Sequence, residues 1–94
     1  MIKFKTKQGY TVFKTTLTEC IEITGGYGIC DMCNTPDTTL YIIPVLNSAY
    51  CEKCYKDWRE RTREYYEEDR DFEEHYIKSF EEQAERKGIE VVEL

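Results

Sequence analysis

The 94-residue chain is poor in the aliphatic residues that build a large core: Ile, Leu, Val and Phe together supply only 20 positions. That is close to the level at which a highly charged chain stays disordered, so a domain of this size needs a staple to fold. No stretch approaches the ~20 apolar residues of a membrane helix, which excludes a spanning segment of that kind. The opening Met-Ile-Lys-Phe-Lys-Thr-Lys has charge but no apolar run behind it, so no secretory signal is expected and the expected compartment is the reducing cytoplasm. Histidine is almost missing. The single His75 has no evident Ser, Asp or Cys partner for general-base or nucleophilic chemistry and is expected at the surface. No Gly-rich phosphate loop opens a helix, because Gly25-Gly26-Tyr27-Gly28 leads into a cysteine pair instead. Positive charge is also short. With 13 Lys and Arg against 19 Asp and Glu the net charge is −6, which argues against a large basic nucleic-acid binder.

What is present is uneven along the chain. Residues 1–24 hold four Lys and two Glu, a balance of +2, whereas residues 64–74 hold seven acids and one Arg. The first part reads as strands. Ile2 and Phe4 alternate with Lys3 and Lys5, Gly9 marks a turn, and Tyr10 and Val12 alternate with Thr11 and Lys14. Leu17, Glu19, Ile21 and Ile23 recur at every second position and predict a third strand. Residues 38–50 read as a hairpin with its strand core at Leu40–Ile43. Pro44 predicts that this strand is an edge or bulges there, and Asn47-Ser48 supplies the turn. From Glu52 helix formers take over, with Tyr55, Trp58, Thr62 and Tyr65 or Tyr66 on one side. Asp71 followed by Glu74 predicts the N-cap of a second helix that carries Phe72, Tyr76, Ile77, Phe80 and Ala84 on one face and ends near Gly88. The tail Ile89–Leu94 predicts a short strand added to the N-terminal sheet.

The strongest signal is Cys30-Asp31-Met32-Cys33, then 17 residues, then Cys51-Glu52-Lys53-Cys54. Two C-x-x-C turns let four thiolates converge on one ion as a tetrahedron, and a spacer of about 15–20 residues suits a zinc site. Iron in a four-thiolate site, separate redox dithiols and disulfides are the competing readings of the same spacing. The fifth cysteine, Cys20, reads as a free, half-buried thiol.

A C-x-x-C knuckle, a hairpin, and a second C-x-x-C that opens a helix resemble treble-clef zinc fingers over about residues 27–66. The stretch Tyr50-Cys51-Glu52-Lys53-Cys54-Tyr55-Lys56-Asp57-Trp58 is similar to the second half of many treble-clef and LIM-like sites. In size and style the chain is also similar to small zinc-binding proteins of bacterial and phage mobile elements. The residue pattern and the resemblance together predict an α+β fold: the alternation gives a small N-terminal antiparallel sheet over residues 1–26, the resemblance implies a treble-clef finger over 27–66, and the helical pattern gives an acidic helix with a tail strand over 67–94. All of it would form one domain (residues 1–94) stabilised by one structural zinc on Cys30, Cys33, Cys51 and Cys54.

Three function classes follow. Four thiolates close a coordination sphere, so an enzyme is not expected. A nucleic-acid interface would use Lys53, Lys56, Arg59 and Arg63 beside Tyr55 and Trp58. A protein-interaction role fits the acidity better, with Tyr65, Tyr66, Glu67, Glu68 and Asp69 as an exposed surface that meets a basic partner, or a second copy of the chain through its aromatics. In a mobile-element setting such a surface would serve an inhibitor or regulator.

Overall fold

The computed structural model describes residues 1–94 as an α+β domain. Strands β1 (Ile2–Lys5) and β2 (Thr11–Thr16) are followed by helix α1 (Leu17–Thr24), then β3 (Thr39–Ile43), β4 (Ser48–Cys51), α2 (Glu52–Arg61), α3 (Arg70–Arg86) and β5 (Val92–Glu93). One five-stranded sheet runs in the order β4-β3-β2-β1-β5. Its pairs are antiparallel except β5, which adds to β1 in parallel, Ile2 opposite Val92, as the tail sequence predicts.

Alternation along the strands separates two cores. Phe13, Leu40, Ile42 and Ala49 pack with Cys20 and Ile23 of α1 and with Phe80 and Ala84 of α3. Their neighbours Val12, Tyr41, Ile43 and Tyr50 pack with Tyr55 of α2 and with Cys30 and Cys51. The Tyr41 and Tyr55 rings stack at 4.2 Å and nearly parallel, which seats α2 on the sheet at the residue directly after Cys54.

The third strand expected from the sequence is instead α1. Thr16 caps it, accepting from the Glu19 amide, while the Glu19 carboxylate accepts from the Thr16 amide, a complete capping box. Cys20 and Ile23 then turn inward at helical spacing, and Gly25 ends the helix at φ +71°. Pro44 does not mark an edge. β3 is paired on both sides, and Pro44 follows its last residue as the start of a 3₁₀ turn, Pro44–Leu46, where its missing N–H leaves no ladder bond unmade. Asn47, at φ +48°, then makes the expected turn into β4.

The two later helices also differ from expectation. α2 stops at Arg61, so Tyr65 and Tyr66 lie beyond it. The Gln8 side chain, from the β1–β2 turn, donates to the carbonyls of Arg59 (3.2 Å) and Thr62 (2.6 Å) and closes this end of the helix. α3 starts at Arg70 after a 3₁₀ turn over Glu67–Asp69, with Asp69 as N-cap, so Asp71 already lies inside the helix and caps nothing. Phe80 and Ala84 of its expected apolar face are buried and Tyr76 and Ile77 half-buried, but Phe72 remains exposed. Gly88 adopts φ +68° just past the helix end, as its position predicts.

Candidate metal centre

Cys30 and Cys33 sit on a tight turn between Ile29 and Pro36, which form an isolated antiparallel bridge. The turn is closed by the Cys30 amide donating to the Thr35 carbonyl (3.1 Å) and the Asn34 amide donating to the Cys30 carbonyl (2.8 Å), with Asn34 at φ +58°. Cys51 ends β4 and is the N-cap of α2, and Cys54 lies in the first helical turn. The second pair therefore occupies the positive end of a helix, where thiolates are favoured.

The structure brings the four sequence-identified cysteines together. Their sulfurs all lie within 4.8 Å of one another, and Cys33 Sγ and Cys51 Sγ are 3.8 Å apart. A tetrahedron with metal–sulfur bonds of about 2.3 Å has edges of about 3.8 Å, so the cage has the size of a four-thiolate site. Cys30 is fully buried, Cys51 nearly so, Cys54 half-buried and Cys33 exposed. The donor set, its number and its spacing fit a metal ion.

The thiols differ in acidity. The hydroxyl and backbone amide of Thr35 bring Cys33 down to about 6, making it the readiest thiolate. Desolvation, and then the neighbouring thiols of Cys51, Cys33 and Cys30, push Cys54 up to about 12. Cys51 is also raised, by desolvation above all. Four sulfurs this close resist common ionisation, and a cation among them would remove that resistance.

The remaining candidates are dispersed. Cys20 is fully rather than half buried, on α1, where burial raises its thiol. His75 is exposed on α3, edge-on to Tyr76. Of the acidic set, Glu67 and Glu68 are exposed, and Glu67 pairs with Arg70 at 2.6 Å. Asp69 is half-buried and accepts from the Tyr10 hydroxyl at 2.8 Å, which corrects the expectation that all three acids are exposed. Tyr66 is half exposed, whereas Tyr65 packs at a tilt against Tyr10, ring centroids 4.6 Å apart, and donates to Glu73. Of the basic set, Lys53 and Arg63 are exposed, Lys56 pairs with Glu52 at 3.6 Å, and Arg59 lies over the Tyr55 ring at 5.4 Å. Trp58 is half-buried against Tyr10 and Tyr55.

Sequence reasoning missed Asp31, Thr35, Gln8 and Glu73. Asp31 stands between the first two cysteines, and Thr35 follows them by two residues, so proximity was the available signal for both. Gln8 and Glu73 act across the fold and had none.

Comparisons of the chain with protein-family models, with curated proteins and with solved structures returned no match. No helix is long and apolar enough to cross a membrane.

Proposed function

We propose that this chain is a non-enzymatic protein-interaction module built on a treble-clef site for one structural zinc ion. The observation that carries the reading is the convergence of Cys30, Cys33, Cys51 and Cys54 to within 4.8 Å. The order of knuckle, β3–β4 hairpin and α2 supports the treble-clef form. Four thiolates leave no coordination position for water or substrate, which favours a structural ion over a catalytic one. Zinc is the ion of choice because it accepts tetrahedral thiolates without redox cost, and the cytoplasm keeps such thiols reduced.

The interaction surface lies at the start of α3. Phe72 and Tyr66 are each 49% exposed, flanked by exposed Glu67, Glu68 and Asp71. Exposed aromatics set among acids suit a basic protein segment. One form this takes is an inhibitor or regulator, as in mobile elements, that occupies a basic site on its target. The basic residues of α2 support a nucleic-acid interface less well, because Lys56 and Arg59 have partners and Trp58 packs into the fold.

Elemental analysis of freshly prepared, reduced protein tests the metal and is expected to give one zinc per chain; no transition metal would end the reading. Affinity capture from host cells, with wild type beside Glu67→Gln/Glu68→Gln/Phe72→Ser, tests the surface. A basic protein held at low salt and lost in the variant is expected. A partner held equally by both would move the interface elsewhere.

A further inference from the structure

The two halves of the cysteine cage come from distant segments, and one side chain joins them outside the coordination sphere. Asp31 follows Cys30 directly. Its backbone amide donates to the Ala49 carbonyl at 2.8 Å, and its Oδ2 accepts from the Ala49 amide at 2.8 Å. Ala49 lies in β4, the edge strand of the sheet, two residues before Cys51. At Ala49 the free edge of β4 is thus met by an amide from the backbone and an oxygen from a side chain, the carboxylate taking the place of a neighbouring strand's carbonyl.

We infer that Asp31 is a positioning residue for the metal centre: it clamps the knuckle to β4 and sets Cys30 and Cys33 against Cys51 and Cys54 before metal arrives. This rests on the metal reading above. Charge supports a geometric role. A divalent ion on four thiolates leaves a net negative centre, and a carboxylate beside it adds repulsion. An acid at this position works against affinity electrostatically, so its contribution lies in the two bonds it completes. The clamp is also short. It engages Cys30's neighbour and a residue two before Cys51, so slack in it passes directly into the distance between the two pairs.

The test is a cobalt(II) titration of the reduced, full-length chain, read by the ligand-to-metal charge-transfer and d–d bands of a tetrathiolate site, followed by zinc competition. Asp31→Ala removes the acceptor, while Asp31→Asn keeps an acceptor oxygen and removes the charge. Asp31→Ala is expected to bind about 10–100-fold more weakly, the usual effect of losing a group that orients metal ligands, with altered d–d bands. Asp31→Asn is expected to retain wild-type spectra and close to wild-type affinity. Equal affinity of Asp31→Ala and wild type would overturn the inference. So would an Asp31→Asn protein as weak as Asp31→Ala, which would assign the effect to charge. If wild type takes up neither metal, the metal reading itself fails, a result separate from those two. Hydrogen exchange at the Ala49 amide reads the clamp without truncating it: slow exchange in wild type and Asp31→Asn supports it, and fast exchange in wild type overturns it.

Discussion

Glu73 is the residue whose environment departs furthest from its type. It lies in an acidic run yet is only 4% exposed, with Oε2 accepting from the Thr11 amide and Oε1 from the Tyr65 hydroxyl. These bonds tie α3 to the start of β2 and to the segment after α2. Glu73→Ala leaves the buried Thr11 amide without an acceptor, at a cost of roughly 1–3 kcal/mol for each donor so orphaned. Urea unfolding of the metal-loaded protein should show a lowered midpoint with an unchanged slope. Glu19 makes a prediction in pH. Burial alone would raise its carboxyl, but the Thr16 amide and the Met1 ammonium outweigh burial and hold it below the usual carboxylate range. A depressed folded pKa adds stability above the unfolded value, about 4.3, and that stability is lost as pH falls through the folded value. Glu19→Gln should therefore be less stable at neutral pH and lose less on acidification below pH ~4. Parallel acid limbs for variant and wild type would contradict this.

Among the elements, α1 owes its start to two side chains. Thr16→Ala removes the oxygen that accepts from Glu19 and should cost about 1 kcal/mol, measured as a drop in thermal midpoint. α1 also shows what was legible in the sequence. Leu17, Glu19, Ile21 and Ile23 satisfy an alternating pattern, but Thr16 and Glu19 satisfy a capping box at the same time, and the local hydrogen bonds won. The cysteine centre was readable because its chemistry is encoded in spacing. So were β1, β2 and the β3–β4 hairpin, where alternation met turn residues, and so was the pairing of the tail with the sheet. The end of α2 was not readable, because Gln8, distant in sequence, supplies its closing bonds. The start of α3 was misplaced because Asp71 and Glu74 imitate a capping pair, whereas the N-cap position falls on Asp69, whose side chain makes no capping bond and accepts from Tyr10 instead. Glu73 looked like another solvated acid, and only the fold shows it facing Thr11.

For the whole molecule, metal and charge make the remaining predictions. Structural zinc contributes on the order of 10 kcal/mol or more to small domains, while domain stability is usually about 5–15 kcal/mol. Chelation, or Cys54→Ser, should abolish cooperative unfolding through the core that holds Cys30, Cys51, Tyr41 and Tyr55. A melting curve unchanged after confirmed metal removal would contradict this. The net charge of −6 predicts negligible affinity for duplex DNA at physiological salt. Binding to a basic protein should weaken with added salt, because screening at 0.15 M confines the field to about 8 Å. Glu67→Gln/Glu68→Gln should reduce that binding without moving the thermal midpoint. Asp69 stays out of this variant because its bond to Tyr10 would confound the result. If Lys56, Arg59 and Arg63 substitutions abolish binding while the acidic pair is silent, the interface is basic.

The order of elements along the chain also bears on synthesis. All four cysteines, and four of the five strands, lie within residues 1–54, whereas α3 and β5 come last. A chain leaving the ribosome N-terminus first therefore presents its four cage cysteines while α3 is still emerging. The opposite face of the sheet, with Phe13, Leu40 and Ile42, must wait for Phe80 and Ala84 to cover it. β1 gains its second neighbour only when Val92, ninety positions after Ile2, has been made. If the cage takes up metal, the supply of that metal as the chain emerges would bear on whether the nascent sheet is held together while half of its apolar surface is still bare.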